Sequence, residues 1–415
     1  MPLGYDFSAL RSTLGSRNFA VFTAGNAVSL IGTWTQRVAV GWVTWDLTHS
    51  AAWLGAVAMA EFLPVIVMAP VTGVMTDRFD RRKIAIIGQC LATLQAAALA
   101  GFTISGHITP PLVLCLQLIG GIIQPVIQTS RLSLVPTLVP RENAGHAVAV
   151  TSLCFNSARI IGPALSGILI AAVGAGYSFA FNAVSYLFVI SALTSLKLPP
   201  HLPAIKQHVS LIHGIWTDFG EGWRYTFAHR TLKWVIPTIS TACLLTWPVG
   251  DLLAGIADRE FGRSVGGLAA FTSAQGFGAI CGALFLAQRK GGADIDLIFA
   301  RSVLLNGICV AIFAVTKNFW VAVPLFALNG VFMVIGGAGS QTVIHSHVVE
   351  HMRGRTLSIW YMVTRVAMAV GGLLMGTLSA LFGFTWPIFG AGVVTACIAL
   401  GVLWRRPKDP PPAPA

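Results

Sequence analysis

The sequence predicts an all-α membrane protein with twelve transmembrane helices, set out as two pseudo-symmetric halves of six. Three observations predict it: an apolar composition, long apolar runs, and glycines that repeat at one offset. Of the 415 residues, 55% are hydrophobic and 10% charged, and the mean hydropathy is +0.75. A soluble domain of ordinary composition is far less apolar. A helix needs about 20 apolar residues to cross ~30 Å of hydrocarbon. Runs near that length fall at 18–46, 51–75, 83–105, 110–133, 146–173, 176–196, 232–257, 264–288, 294–316, 319–344, 355–382 and 385–404. They are continuously apolar, whereas membrane barrel strands alternate over about ten residues, so helices are the reading.

The repeat divides the chain near its middle. Gly162 pairs with Gly371 and Gly167 with Gly376, both 209 residues apart, and Gly73 has a counterpart in Gly282 at the same distance. The expected organisation is a first half over 1–196, a cytoplasmic linker over 197–231, a second half over 232–404, and a Pro-rich disordered tail over 405–415. In the linker, Ile212, Ile215, Trp216, Phe219, Trp223 and Phe227 recur at three- and four-residue spacing. That pattern suits a helix lying on the membrane face, with a flexible connector as the plainer reading.

A formal charge of +12 raises the question of a nucleic-acid partner, and the placement of the basic residues answers it. With the N-terminus inside, 21 Lys and Arg fall on the cytoplasmic side, against Arg259, Arg263 and Lys317 outside. This is the positive-inside pattern of a multi-pass protein with both termini cytoplasmic, and no nucleic acid is implied. The seven cysteines lie within spans without CxxC spacing and read as small apolar fillers. The first 17 residues lack a short apolar core with a cleavage site, so the first span is expected to be retained.

Between the second and third runs stands Gly73-Val-Met-Thr-Asp77-Arg78-Phe-Asp80-Arg81-Arg82-Lys83. This short charged turn resembles the G-x-x-x-D-R-x-x-R-R loop of the major facilitator superfamily. Further segments extend the resemblance over nearly the whole chain. They are Leu30-Ile-Gly-Thr-Trp-Thr-Gln36-Arg37, Arg159-Ile-Ile-Gly162-Pro163, Glu221-Gly-Trp-Arg-Tyr225 and Arg353-Gly-Arg355. They are similar to the bacterial branch that includes siderophore, macrolide and lysophospholipid transporters. The resemblance implies a secondary transporter of the bacterial cytoplasmic membrane that works by alternating access around a central site. It implies efflux of a small amphipathic compound, drug-like or a siderophore, coupled to protons. A lysophospholipid flippase is the alternative, and a non-transporting membrane enzyme or receptor is disfavoured. It also implies that Asp77, with Gly73, Arg78, Arg81 and Arg82, latches the cytoplasmic side against the start of the eleventh span. The arginines read otherwise as topology determinants. One departure stands out: many proton-coupled exporters carry an arginine early in the fourth span, where this chain has Leu116-Gln117.

Polar residues at helical spacing mark candidate substrate contacts. Asn26, Ser29, Thr33 and Gln36 form a stripe in the first span; Gln117, Gln124 and Gln128 do so in the fourth. Trp247 and Asp251 in the seventh, with Asn329 and Ser340 in the tenth, are weaker versions. Such faces avoid lipid and point into protein or a watered cavity, either as substrate contacts or as packing glue. Arg37 and Glu61, at similar depth in neighbouring spans, are a possible pair, either a fixed clamp or a coupling device. Asp251 is the other candidate for coupling. Arg159 and Arg365 lie deep in the fifth and eleventh spans, where each needs an acidic, carbonyl or anionic substrate partner.

His347-Val-Val-Glu350-His351 matches H-x-x-E-H, but no Asp or Glu lies between His351 and Lys408 to complete a zinc site. It reads as a helix end. No phosphate-binding G-x-x-x-x-G-K-[ST] loop occurs. The reading is therefore a monomeric transporter in the lipid bilayer, without metal or cofactor and not an enzyme.

Overall fold

The computed structural model describes residues 15–140, 143–196, 220–221, 223–288 and 294–405, all helical or in short connections. The helices are α1 Arg17–Thr48, α2 Ala51–Arg78, α3 Arg81–Ile104, α4 Pro110–Leu134, α5 Ala144–Val173 and α6 Ala175–Ser195. They continue with α7 Leu232–Leu245, α8 Leu253–Arg259, α9 Val265–Ala287, α10 Ile295–Val315, α11 Phe319–His347, α12 Glu350–Phe382 and α13 Thr385–Arg405. Among the described residues, ten helices are long and apolar enough to cross a bilayer, and the bent pair α7–α8 makes an eleventh. The twelfth is α1. Its 32 residues rise roughly 48 Å at 1.5 Å each, more than the hydrocarbon requires. Its polar stripe lowers its hydropathy, but Thr23, Asn26, Ser29 and Thr35 are buried within the protein.

The duplication is written in the helix boundaries. α5 ends at Val173 and α12 at Phe382; α2 ends at Arg78 and α9 at Ala287; α4 starts at Pro110 and α11 at Phe319. Every pair is 209 residues apart. The turns agree as well. Gly174 (φ 98°) follows α5 and Gly383 (φ 77°) follows α12, again 209 apart (383 − 174). Both hold the left-handed backbone that a Cβ disfavours.

The seventh span departs from the single helix expected over 232–257. α7 stops at Leu245, Trp247–Gly250 form a 3₁₀ turn, and α8 resumes at Leu253 with a 50° bend. Pro248 has no N–H to offer an α-helical ladder, and Gly250 is a poor helix former, so the break follows from the sequence. Trp247 and Asp251 sit at it, and the Asp251 N–H bonds to the Pro248 carbonyl at 2.9 Å.

The chain forms two compact units. Of the described residues, α1 up to Leu47 and the stretch from Pro64 to the end of α6 make the first; residues 48–63 and α7–α13 make the second. The first has a core of Phe19, Phe22, Leu134, Leu138, Val189 and Leu193. In the second, Val235, Ile239, Phe299, Val303 and Val343 pack together. The start of α2 belongs to the second unit because Gly55 lets it meet α12. A Cβ on Gly376 would lie 2.6 Å from the Ala51 carbonyl and 2.9 Å from the Gly55 Cα.

The expected amphipathic linker lies outside the described residues up to Phe219. Beyond it, 223–228 are helical, the Trp223 and Phe227 rings lie 4.6 Å apart, and both are exposed. Tyr225 packs against Leu232, Ile344 and Val348, and Arg355 bonds Glu221 at 2.7 Å. That ion pair joins two of the segments that carry the family resemblance. The tail from residue 406 is outside the described residues.

Candidate functional site

In the first unit the polar stripes meet as a hydrogen-bonded network. Asn182 in α6 donates to Gln36 Oε1 at 2.8 Å, and Gln36 donates to Gln95 Oε1 in α3 at 3.1 Å. Gln95 in turn donates to the Leu116 carbonyl at 3.1 Å and to Gln117 Oε1 at 3.5 Å, both in α4. Thr33 donates to the Ser29 carbonyl and lies 3.3 Å from the Tyr186 hydroxyl. Four helices are tied through amides that would cost several kcal/mol each if left bare in hydrocarbon. Asn26 and Gln117 are buried, Gln124 is half-buried, and Gln128 is exposed and accepts from Arg131.

The second unit holds a comparable network close to the repeat positions. Thr246 donates to Asn306 Oδ1 at 2.8 Å, and Asn306 donates to the Asn329 carbonyl at 3.5 Å. Gln275 donates to Asn329 Oδ1 at 3.0 Å. Ser340 accepts from the Trp360 indole at 3.0 Å, and Trp247 packs beside Gly337. The Arg365 guanidinium lies 5.0 Å from the centre of the Tyr361 ring.

α1 and α5 approach closely at Gly162. A Cβ there would strike the Trp34 side chain and stand 3.0 Å from the Ile31 carbonyl; the Thr35 hydroxyl donates to the Gly162 carbonyl at 3.1 Å. Phe155, Arg159 and Gly162 share one face of α5 at spacings of four and three, and Trp34 and Arg37 share one face of α1. The contact therefore carries Trp34 to Phe155 and Arg159. The ring centres of Trp34 and Phe155 are 5.8 Å apart, edge to face. The guanidinium carbons of Arg37 and of Arg159 each lie 5.5 Å from the indole centre. Each such contact is worth about 0.5–2 kcal/mol, more where water is scarce. Trp34 and Phe155 were not among the residues expected from sequence, because aromatic side chains on an apolar helix read as core. Their spacing to the two arginines was the available signal.

Glu61 lies in the α2 stretch of the second unit, and Arg37 in the first. At the Gly73 turn, the side chains of Asp77 and Arg78 lie outside the described residues, as does the side-chain environment of Gly73. Arg81 donates to the Ser133 carbonyl at 3.4 Å and Arg82 to the Thr194 carbonyl, at the C-terminal ends of α4 and α6. Cations are favoured there by the unsatisfied carbonyls. Asp80 caps α3 by accepting from the Arg82 and Lys83 N–H groups. In the H-x-x-E-H segment, His347 Nε2 lies 3.4 Å from the Asp296 carboxylate and Nδ1 3.1 Å from the Val343 carbonyl. The His351 side chain is outside the described residues. A groove of about 220 Å³ between α10 and α13, lined by Ile308, Ile312, Phe389, Val393 and Cys397, is almost wholly apolar and offers little to orient a substrate.

The profile of a family described as "Transmembrane secretion effector" matches residues 8–409. The enterobactin exporter EntS of Salmonella choleraesuis (strain SC-B67) is 24% identical over 413 residues, covering 94% of each chain. Among solved structures, a bacterial homolog of the human lysosomal transporter Spinster superposes with a TM-score of 0.72 at 13% identity. It covers 93% of this chain and 94% of that one. A POT family transporter in complex with a thioalcohol-conjugated peptide gives 0.73 at 14% identity, covering 94% and 96%. Likeness at these identities speaks for the fold alone.

Proposed function

This chain belongs to the transmembrane secretion effector family of the major facilitator superfamily, and from that premise we propose that it exports a small amphipathic compound, a siderophore or drug-like molecule, by proton antiport. It is a multi-pass membrane transporter and not an enzyme. The relatives named as enterobactin exporters support the siderophore reading. The observation that carries a transport role is the polar interior of α1. Buried Asn26, the hydrogen-bonded Gln36, and Arg37 stand in a membrane-length helix, where such groups are tolerated next to protein or a watered path.

In this reading Glu61 carries the proton. Asp251, at the break after α7, is the second coupling candidate, since a broken span frees backbone groups for ions and ligands. Asp77 and its arginines form the cytoplasmic gate, both termini are cytoplasmic, the membrane is the bacterial inner one, and the protein acts as a monomer by alternating access.

The test is accumulation by everted vesicles containing the protein, with a catecholate siderophore, a macrolide and a labelled lysophospholipid as candidates. Accumulation of the siderophore or the macrolide that collapses with the proton gradient supports the reading. Movement of the lysolipid alone, or uptake indifferent to the gradient, contradicts it.

A further inference from the structure

We propose that Trp34, Arg37, Phe155 and Arg159 form a subsite within the first unit that binds the planar head of an aromatic carboxylate. The proposal deepens the export reading by naming a substrate class, and it rests on that reading only in taking the bound compound to be the exported one.

Four observations converge. The residues come from two helices whose register is fixed by the Gly162 contact and the Thr35 hydrogen bond, so their placement is set by backbone packing. Both guanidinium groups lie 5.5 Å from one indole centre, which limits their separation to at most 11 Å and sets both beside the same ring. The cluster also has an open edge: Phe155 is 37% exposed, and Trp34 and Arg37 are half-buried. Finally, Arg159 stands well inside the membrane-length segment Val150–Val173. A guanidinium at that depth avoids lipid and turns to protein, water or a ligand.

The chemistry selects the occupant. A guanidinium offers a planar fork of N–H donors that matches a carboxylate in two parallel hydrogen bonds. The indole face and the Phe155 ring favour a flat apolar body, stacked or edge-on, over a flexible chain. A neutral ring would gain only the stacking; an aliphatic acid would gain only the charge. An aromatic carboxylate gains both.

The experiment measures equilibrium binding of labelled 2-naphthoate to the full chain in lipid nanodiscs. Its comparators are 2-naphthamide, which keeps the ring, and cyclohexanecarboxylate, which keeps the charge. The expected result is binding of naphthoate at least tenfold tighter than either comparator. Weakening by at least tenfold is expected in Trp34→Leu and in the double variant Arg37→Gln/Arg159→Gln, with partial retention in Arg159→Lys. Melting temperatures identify variants that have lost the fold, and Phe155→Leu then supplies a further test, with weaker naphthoate binding expected. Equal affinity for naphthoate and naphthamide, unchanged binding in a folded Trp34→Leu protein, or displacement of naphthoate by a lysophospholipid at lower concentration than by unlabelled naphthoate overturns the proposal. Absence of naphthoate binding with gradient-driven export intact overturns the subsite alone. Binding intact without export of any compound overturns the transport reading alone.

Discussion

The hydroxyl of Thr35 in α1 donates to the carbonyl of Gly162 in α5 at 3.1 Å, and that bond marks the register in which Trp34 meets Phe155 and Arg159. The bond depends on the missing side chain at 162, because any Cβ would run into Trp34. In the second half, Gly371 stands 209 residues on and makes the equivalent approach, to the Leu244 and Pro248 of α7 and its following turn.

Replacing Gly162 by Val should therefore separate α1 from α5. Overpacking of this kind typically costs about 1–3 kcal/mol, so a lower melting temperature in detergent is expected, and Gly371→Val should fall by a similar amount. A Gly162→Val protein as stable as the parent would show that the two helices can shift apart freely.

Gln95 is the hub of the first unit's network, donating to α4 and accepting from Gln36. Gln95→Leu leaves the Gln36 and Gln117 amides short of a partner in a buried setting, at a cost of about 1–3 kcal/mol. The variant should melt earlier than Gln124→Leu, whose residue is half-buried and outside this network. Equal melting of the two would mean that the network contributes nothing.

The Arg355–Glu221 pair is partly exposed, with side chains 35% and 51% accessible. Exposed pairs contribute about 0–1 kcal/mol. Glu221→Gln should thus leave melting nearly unchanged, while Glu221→Arg, which sets like charges together, should lower it and Arg355→Glu in the same chain should restore it. Failure of the double reversal to restore the parent value contradicts the pairing.

His229 precedes α7, and its Nδ1 accepts from the N–H groups of Thr231 at 3.2 Å and Leu232 at 3.5 Å. Burial pushes its pKa below the ordinary 6.5, and the neighbouring charge of His347 adds to the effect. Tyr225 and, through His347, Asp296 are among its titratable neighbours. The folded state holds this proton less tightly than the unfolded chain. Stability should therefore fall as pH drops from about 6.5 through the lowered folded pKa, and should owe nothing to this group above 6.5. His229→Gln, which keeps an acceptor for the helix start, should lose part of that decline in melting temperature between pH 7 and 5. An identical profile in the variant would assign the decline to other groups.

The spans and the duplication were legible in the sequence because both rest on backbone needs. Apolar runs must match the hydrocarbon, and glycines must stand where helices cross or turn with positive φ, as at Gly174 and Gly383. The break at Trp247–Gly250 was hidden by its hydrophobicity: Pro248 and Gly250 interrupt an apolar run without making it polar. At the candidate site the arginines stood out because charge is costly in a membrane, whereas Trp34 and Phe155 did not, since an aromatic ring is at home there. Only the approach at Gly162 reveals that they share a place with Arg159. Gln36 and Gln117 were visible as a polar face, but spacing along one helix could not show that both engage Gln95 on another.

The most direct test of proton-coupled export uses the purified chain in proteoliposomes loaded with whichever compound the vesicle assay identifies. An imposed pH gradient should drive net flux in the parent protein, and Glu61→Gln should abolish that flux while one-for-one exchange of labelled for unlabelled compound continues. Full gradient-driven flux in Glu61→Gln would contradict the account.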